Sequence, residues 1–138
     1  MGEKEDLVEV AKKHLARSKR KLKAAKLLYE QRFFDDAISR AYYSAYHAVY
    51  ALLILLGSSP RTHKGLINLF WIKVVEKNIV DKEIGRALSK LFSLRESADY
   101  STIDFFSEAD AQEAIKYATD IVSAIEKTIQ KIVKTDTS

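Results

Sequence analysis

Turn-forming residues are nearly absent from this chain. Glycine occurs four times and proline once in 138 residues, whereas a β protein needs a turn signal roughly every 8–12 positions. The backbone can change direction at only a few places, so the chain must divide into a few long helices. Hydrophobic residues make up 47% and charged residues 30% of it, the balance of a globular protein and not of a disordered one. Two independent cores would each be marginal at this length, so one domain over residues 1–138 is expected.

Apolar periodicity places the helices. Val8, Ala11, Leu15, Ser18, Leu22, Ala25 and Tyr29 recur in threes and fours, which predicts a first helix from about Glu5 to Glu30. Ile38, Tyr42, Ala45, Val49, Leu52 and Leu56 form the stripe of a second, from Phe33 to Leu56, with Gly57 free to take the left-handed conformation that ends a helix. Thr62 is the expected N-cap of a third helix ending near Asn78, and Asp81 that of a fourth reaching Asp99. After a loop from Ser101 to Phe106, Ser107 caps a last helix that runs to Val133 and buries Ala111, Ala114, Ala118, Ile121, Ile125, Ile129 and Ile132. Long helices joined by short loops pack antiparallel. The fold expected is all-α: an up-and-down four-helix bundle with a fifth, shorter helix.

The segment MGEKEDLVEV is acidic and amphipathic and has none of the parts of a signal peptide. The longest apolar run, Ala48 to Leu56, falls far short of the roughly 20 residues that span a bilayer. With no cysteine, a disulfide framework, a thiolate metal site and a cysteine nucleophile are all excluded. A cytoplasmic location without membrane attachment is the expectation.

Three features ask for more than a bundle. Opposite the core stripe of the second helix lie Asp36, Arg40, Tyr43, His47, Tyr50 and Ile54, where a solvent face would carry lysine and glutamate. That side is either covered by another helix of the same chain or is the interface of a two-fold homodimer with a polar site set in it. Arg95 falls at the centre of the stripe Ile84, Leu88, Leu91 and Ala98. A buried guanidinium cannot shed its charge and needs acceptors. It either pairs with Asp99 one turn on, fastening the loop that follows, or points its fork at a phosphate. The first helix carries Lys12, Lys13, Arg17, Lys19, Arg20, Lys21, Lys23 and Lys26 with no acid between them. Such a run is either a solvated face or a field that attracts nucleic acid.

No phosphate loop, dinucleotide fingerprint, paired-histidine zinc motif or serine elbow occurs. His14, His47 and His63 fall on three different helices, so neither a metal site nor a cofactor is expected; His14 is expected to be exposed and His63 to steady the start of the third helix.

The segment Ser39-Arg40-Ala41-Tyr42-Tyr43-Ser44-Ala45-Tyr46-His47-Ala48, continuing through Ala51-Leu52-Leu53 to Gly57, resembles the second helix of HEPN domains (higher eukaryotes and prokaryotes nucleotide-binding). The likeness extends to Thr62-His63-Lys64-Gly65 and Phe70, then through Leu91 and Arg95 to Ala98-Asp99-Tyr100 and an alanine-spaced last helix. It implies a dimerising bundle of four or five helices, often encoded beside a minimal nucleotidyltransferase in a toxin–antitoxin-like pair. Active HEPN ribonucleases resemble one another in an arginine followed, after four to six residues, by a histidine. The arginine would hold the scissile phosphate and the histidine would move the 2′-hydroxyl proton, without metal.

This chain departs from that pattern. Arg95 stands where the motif arginine would, but Tyr100 is the fifth residue after it and no histidine follows. Arg40 and His47 match the spacing on the second helix instead. Arg40, His47 and Arg95 are the catalytic candidates, and Arg40, Tyr43, His47, Arg95, Asp99 and Tyr100 the candidate nucleotide- or RNA-binding set, joined across a groove. The leading functional expectation is a nucleotide- or RNA-phosphate-binding partner of a nucleotidyltransferase. The alternatives are a metal-independent endoribonuclease toxin and a non-catalytic scaffold.

Overall fold

The computed structural model describes residues 2–100 and 106–137. Its helices are α1 (Gly2–Glu30), α2 (Phe34–Leu55), α3 (His63–Phe70), α4 (Lys82–Tyr100) and α5 (Glu108–Thr137). A wide, π-helical stretch, Trp71–Val75, prolongs α3, with the Glu76 N–H bonded to the Trp71 carbonyl at 2.8 Å. Four long helices and one short one, with no strand among the described residues, is the architecture the periodicity predicts. The expected loop from Ser101 to Phe106 lies, apart from Phe106, outside the described residues.

Helix α2 is the axis of the bundle. It touches α1, α3, α4 and α5, and Ala37, Ile38, Ala41, Tyr42, Ser44, Ala45, Ala48, Val49, Ala51, Leu52, Leu53 and Ile54 are all buried. A single stripe understates this burial. The alanines at 37, 41, 45, 48 and 51 let neighbouring backbones come close on several sides at once. Leu56, expected in the core, is only half-buried.

The closest neighbour is α1, whose buried positions Ala11, Ser18 and Ala25 recur every seven residues, the period of a helix–helix seam. Ser18 Oγ donates to the Ser44 carbonyl at 2.6 Å and Ser44 Oγ donates to the Ala41 carbonyl at 2.7 Å, so both buried hydroxyls are satisfied. Lys19 of α1 pairs with Glu126 of α5.

Local chemistry ends the helices. After α1, Arg32 takes a φ of +66° while its N–H bonds to the Tyr29 carbonyl and the Phe33 N–H to the Leu28 carbonyl. The same paired bonds recur at Gly57 (φ +84°) after α2 and at Asn78 (φ +59°) after the π-helical stretch. Thr62 accepts from the Gly65 N–H at 2.9 Å, as an N-cap should. Ser107 and Asp110 cap each other, the Asp110 N–H donating to Ser107 Oγ at 3.1 Å and the Ser107 N–H to Asp110 Oδ2 at 2.9 Å. No helix among the described residues is long and apolar enough to cross a membrane.

Candidate functional site

Because α1 and α2 run antiparallel along the serine seam, the basic run of α1 faces the polar edge of α2. Three contiguous hollows follow. One, of about 390 Å³, is lined by Arg17, Arg20, Lys21, Ala24, Arg40 and His47. A second, of about 400 Å³, lies toward the N-terminus of α1 between Val10, Lys13, His14, Ala16, Arg17 and Arg20. The third, of about 450 Å³, opens toward the start of α2 among Lys21, Asp36, Ser39, Arg40, Tyr43 and His47. Together they make one cationic groove, in which the two features read separately in the sequence become one surface. Asp36 is the acid at its α2 end.

At the middle of the groove two imidazoles meet. His14 Nδ1 and His47 Nδ1 are 3.1 Å apart, with ring centroids at 5.3 Å and planes inclined by 22°. His14, expected to be exposed, is instead half-buried, with its ring 4.7 Å from that of Tyr50. The reason is helical spacing: it stands three residues after Ala11 and four before Ser18, on the face that α2 covers. Burial pushes the His47 pKa down to about 4, helped by His14, Lys21 and Arg17. Burial, and then Arg17, lowers His14 as well. Both rings are thus held neutral at pH 7 inside a cationic wall.

The second cluster joins α2, α3 and α4. Arg95 Nη2 donates to the Tyr43 hydroxyl at 3.0 Å, and its guanidinium lies 5.4 Å from the Tyr42 ring centroid and 5.3 Å from that of Tyr43. Arg95 Nε is 2.7 Å from Asp99 Oδ2, but its N–H is not aligned on that oxygen and the atom has no hydrogen-bond partner. This is a charge contact at close range and not a directed bond. The fork is therefore turned inward: of the two readings of Arg95, the geometry realises the pairing with Asp99. The Tyr42 hydroxyl lies 2.6 Å from His63 Nδ1. Burial raises the Tyr42 pKa, so the phenol keeps its proton.

Of the candidate residues, Arg40, Tyr43 and His47 share one hollow, and Arg95 and Asp99 stand behind Tyr43. Tyr100 lies at the end of α4, 72% exposed, and lines none of the three hollows. The far side of α2 is largely a surface within the chain: Ile54 is buried, while Tyr43, His47 and Tyr50 are half-buried beneath α1 and α4. Sequence reasoning missed His14 as the partner of His47 and His63 as that of Tyr42. Only the first had left a signal, in its three–four spacing with the seam.

Comparison with known proteins bears on fold and family. A family model described as HEPN domain matches residues 11–128. A protein of Methanocaldococcus jannaschii named "Putative toxin MJ0605" is 34% identical over 126 residues, covering 91% of this chain and 88% of that protein. A UPF0332 protein of Thermotoga maritima is 32% identical over 132 residues, covering 96% and 98% respectively. The crystal structure of TT1696 from Thermus thermophilus superposes with a TM-score of 0.74 at 18% identity, covering 86% of this chain and 97% of that one, a likeness of fold. A match over most of the residues, with curated relatives of nearly the same length, assigns the chain: it belongs to the HEPN domain family.

Proposed function

We propose that this chain is a toxin-type HEPN protein that holds the phosphate backbone of single-stranded RNA, or the phosphates of a nucleotide, in the groove between α1 and α2. The observation that carries the reading is the convergence of Arg17, Arg20, Lys21 and Arg40 from two helices on the walls of one trough. A positive groove with an aromatic beside it suits a single strand, whose phosphates meet the cations while a base stacks on a ring such as Tyr43. Arg95 and Asp99 serve the site indirectly, by fixing Tyr43. The test is fluorescence anisotropy with a labelled 12-residue RNA. Arg20→Ala together with Arg40→Ala weakens binding by about 10- to 100-fold, because each removes a charge-assisted contact. Unchanged affinity in the folded double variant overturns the assignment.

The name of the Methanocaldococcus relative supports a role in a toxin–antitoxin-like pair. The HEPN resemblance supports a minimal nucleotidyltransferase as the other member, a two-fold homodimer, and action in the cytoplasm. Co-purification of the two proteins after co-expression, with light scattering on each alone, tests partner and dimer together. A second reading, a metal-independent endoribonuclease, is favoured by one observation: the His47 imidazole lines the same hollow as Arg17, Arg20 and Arg40. Growth arrest on expression, relieved by His47→Ala, and RNA cleavage in chelator are its expected outcomes.

A further inference from the structure

Of the residues that line the three hollows, only Asp36 is acidic; it shares the hollow at the start of α2 with Lys21, Ser39, Arg40, Tyr43 and His47. A carboxylate there opposes phosphate binding, so the groove carries a group that its cations do not explain. An acid in the first turn complements the helix dipole, but Asp35 occupies that same turn and lines none of the hollows. Among the described residues, neither Asp36 nor Ser39 uses its side chain in a hydrogen bond or an ion pair, although Lys21 and Arg40 line the same hollow.

Spacing decides what reaches these groups. Asp36 and Tyr43 stand seven residues apart on one face of α2, about 10.5 Å along its axis, with Ser39 and Arg40 on the turn between them. The Tyr43 ring is held in place, its hydroxyl accepting from Arg95 Nη2 at 3.0 Å and its ring set against that of Tyr42 at 5.3 Å and 72°. A base stacked on Tyr43 must extend a hydrogen-bonding edge back across Ser39 to meet Asp36. The two fused rings of a purine suit that reach; a pyrimidine is one ring shorter.

We propose that this hollow selects guanine: a base of the bound strand stacks on Tyr43, and Asp36 accepts from its N1–H and its N2 amino group. The inference rests on the phosphate-groove reading given above. Guanine alone among the four bases places two donors side by side on its Watson–Crick edge, an edge that a single strand leaves free. Two parallel donors match the two oxygens of a carboxylate, as a guanidinium does. Adenine offers one donor beside an acceptor nitrogen that a carboxylate repels. Cytosine does the same and uracil sets its one donor between two carbonyls, and both lack the second ring. Guanine O6, next to N1–H, calls for a donor, which the Ser39 hydroxyl or the Lys21 ammonium supplies. Phosphates of the same strand fall to Arg17, Arg20 and Arg40 in the adjoining hollow. Lys21 and Arg40 line both hollows, so the base site and the phosphate site are continuous. Affinity comes from the cations, and the choice of base from the one acid.

The full-length protein is titrated by fluorescence anisotropy with labelled 12-residue 2′-O-methyl oligomers, which carry no 2′-hydroxyl to attack the backbone. One is all uridine; the others hold a single central guanine, inosine, adenine or cytosine. The wild type binds the guanine oligomer about 10-fold or more tightly than the uridine, adenine and cytosine ones, with inosine, which lacks the N2 amino group, in between. Asp36→Ala shrinks that preference to less than about 2-fold. It binds the all-uridine oligomer at least as tightly as the wild type does, because a repelling charge is gone. A wild type that binds all five alike overturns guanine selection and leaves the phosphate groove standing. Equal affinity for the inosine and guanine oligomers contradicts the two-donor contact. An Asp36→Ala protein that keeps the guanine preference, with every affinity raised by one common factor, shows the carboxylate to be a bystander and also overturns the proposal. Failure of the wild type to bind any oligomer removes the groove reading and the selection with it. The base series on the wild type needs no variant, so the test holds whether or not Asp36→Ala folds.

Discussion

Arg95 of α4 donates to the Tyr43 hydroxyl of α2 at 3.0 Å while its own Nε stands 2.7 Å from Asp99. One guanidinium thereby ties the end of α4 to the central helix and orients an aromatic that lines the groove. With side chains 13% and 30% exposed, the Arg95–Asp99 pair is neither a surface bridge nor a fully buried one.

Replacing Arg95 by alanine therefore removes the tie and the packing of the guanidinium over Tyr42 and Tyr43. The expected loss is about 2–3 kcal/mol, below the full cost of breaking a buried pair because solvent reaches Asp99. Arg95→Lys recovers only part of it, since an ammonium cannot reproduce the planar fork. Urea midpoints of the three proteins check this. A midpoint for Arg95→Ala equal to that of the wild type contradicts it.

Stability should fall on the acid side of neutrality. His14, His47 and His63 all have pKa values lowered in the folded state, each by burial first. Above their ordinary value of 6.5 they are neutral in both folded and unfolded chains. Below it the unfolded chain binds protons that the native one refuses, so stability is lost as pH falls from 6.5 toward about 4, where His47 titrates. Discounted for the partial exposure of His47, its share is about 1–2 kcal/mol. Thermal melts at pH 7.5 and 5.0 show the drop, and His47→Gln reduces it. Equal melting temperatures at the two pH values contradict the burial argument.

The seam between α1 and α2 should tolerate loss of a hydroxyl but not gain of volume. Ser18→Ala gives up one hydrogen bond, and the Ser44 carbonyl it served belongs to a helical backbone, so the expected cost is about 1 kcal/mol. Ser18→Leu forces a branched side chain into a fully buried contact between two helices, with an expected cost of about 3 kcal/mol or more. Guanidinium unfolding of both variants separates the two cases. A leucine variant as stable as the alanine one contradicts the close seam.

Asn78 holds a φ of +59°, a conformation in which a Cβ is a liability. Asn78→Gly should stabilise the protein by about 0.5–1 kcal/mol, seen as a rise of roughly 2–5 °C in Tm. A fall in Tm contradicts the assignment of this residue as a helix-ending position.

The sequence made plain whatever depends on short-range pattern. The stripe of α5 from Ala111 to Ile129, the left-handed Gly57 and the caps Thr62 and Ser107 each have a local chemical signature and stand where it places them, while Ile132, expected in the core, is only half-buried. Asn78, the residue type that after glycine most readily turns left-handed, ends a helix as Gly57 does, whereas Arg32 carries no such signature and chain closure imposes its conformation. The candidate site was legible only in halves. The basic run and the Arg40/His47 edge are both visible, yet nothing local says that α1 lies against that edge. His14 was misplaced for the same reason: its spacing puts it beside the seam, and only the packing of α2 shows that the seam is wide enough to cover it.

The central claim is that a trough walled by Arg17, Arg20, Lys21 and Arg40 meets nucleic-acid phosphates. Its most direct test is the dependence of single-stranded RNA affinity on salt concentration. Each phosphate neutralised should contribute about −0.7 to the slope of log affinity against log salt. The wild-type slope should be roughly −2 to −3, and shallower by about 0.7 for each cation removed in Arg17→Ala, Arg20→Ala and Arg40→Ala. Identical slopes for the wild type and the three variants contradict it.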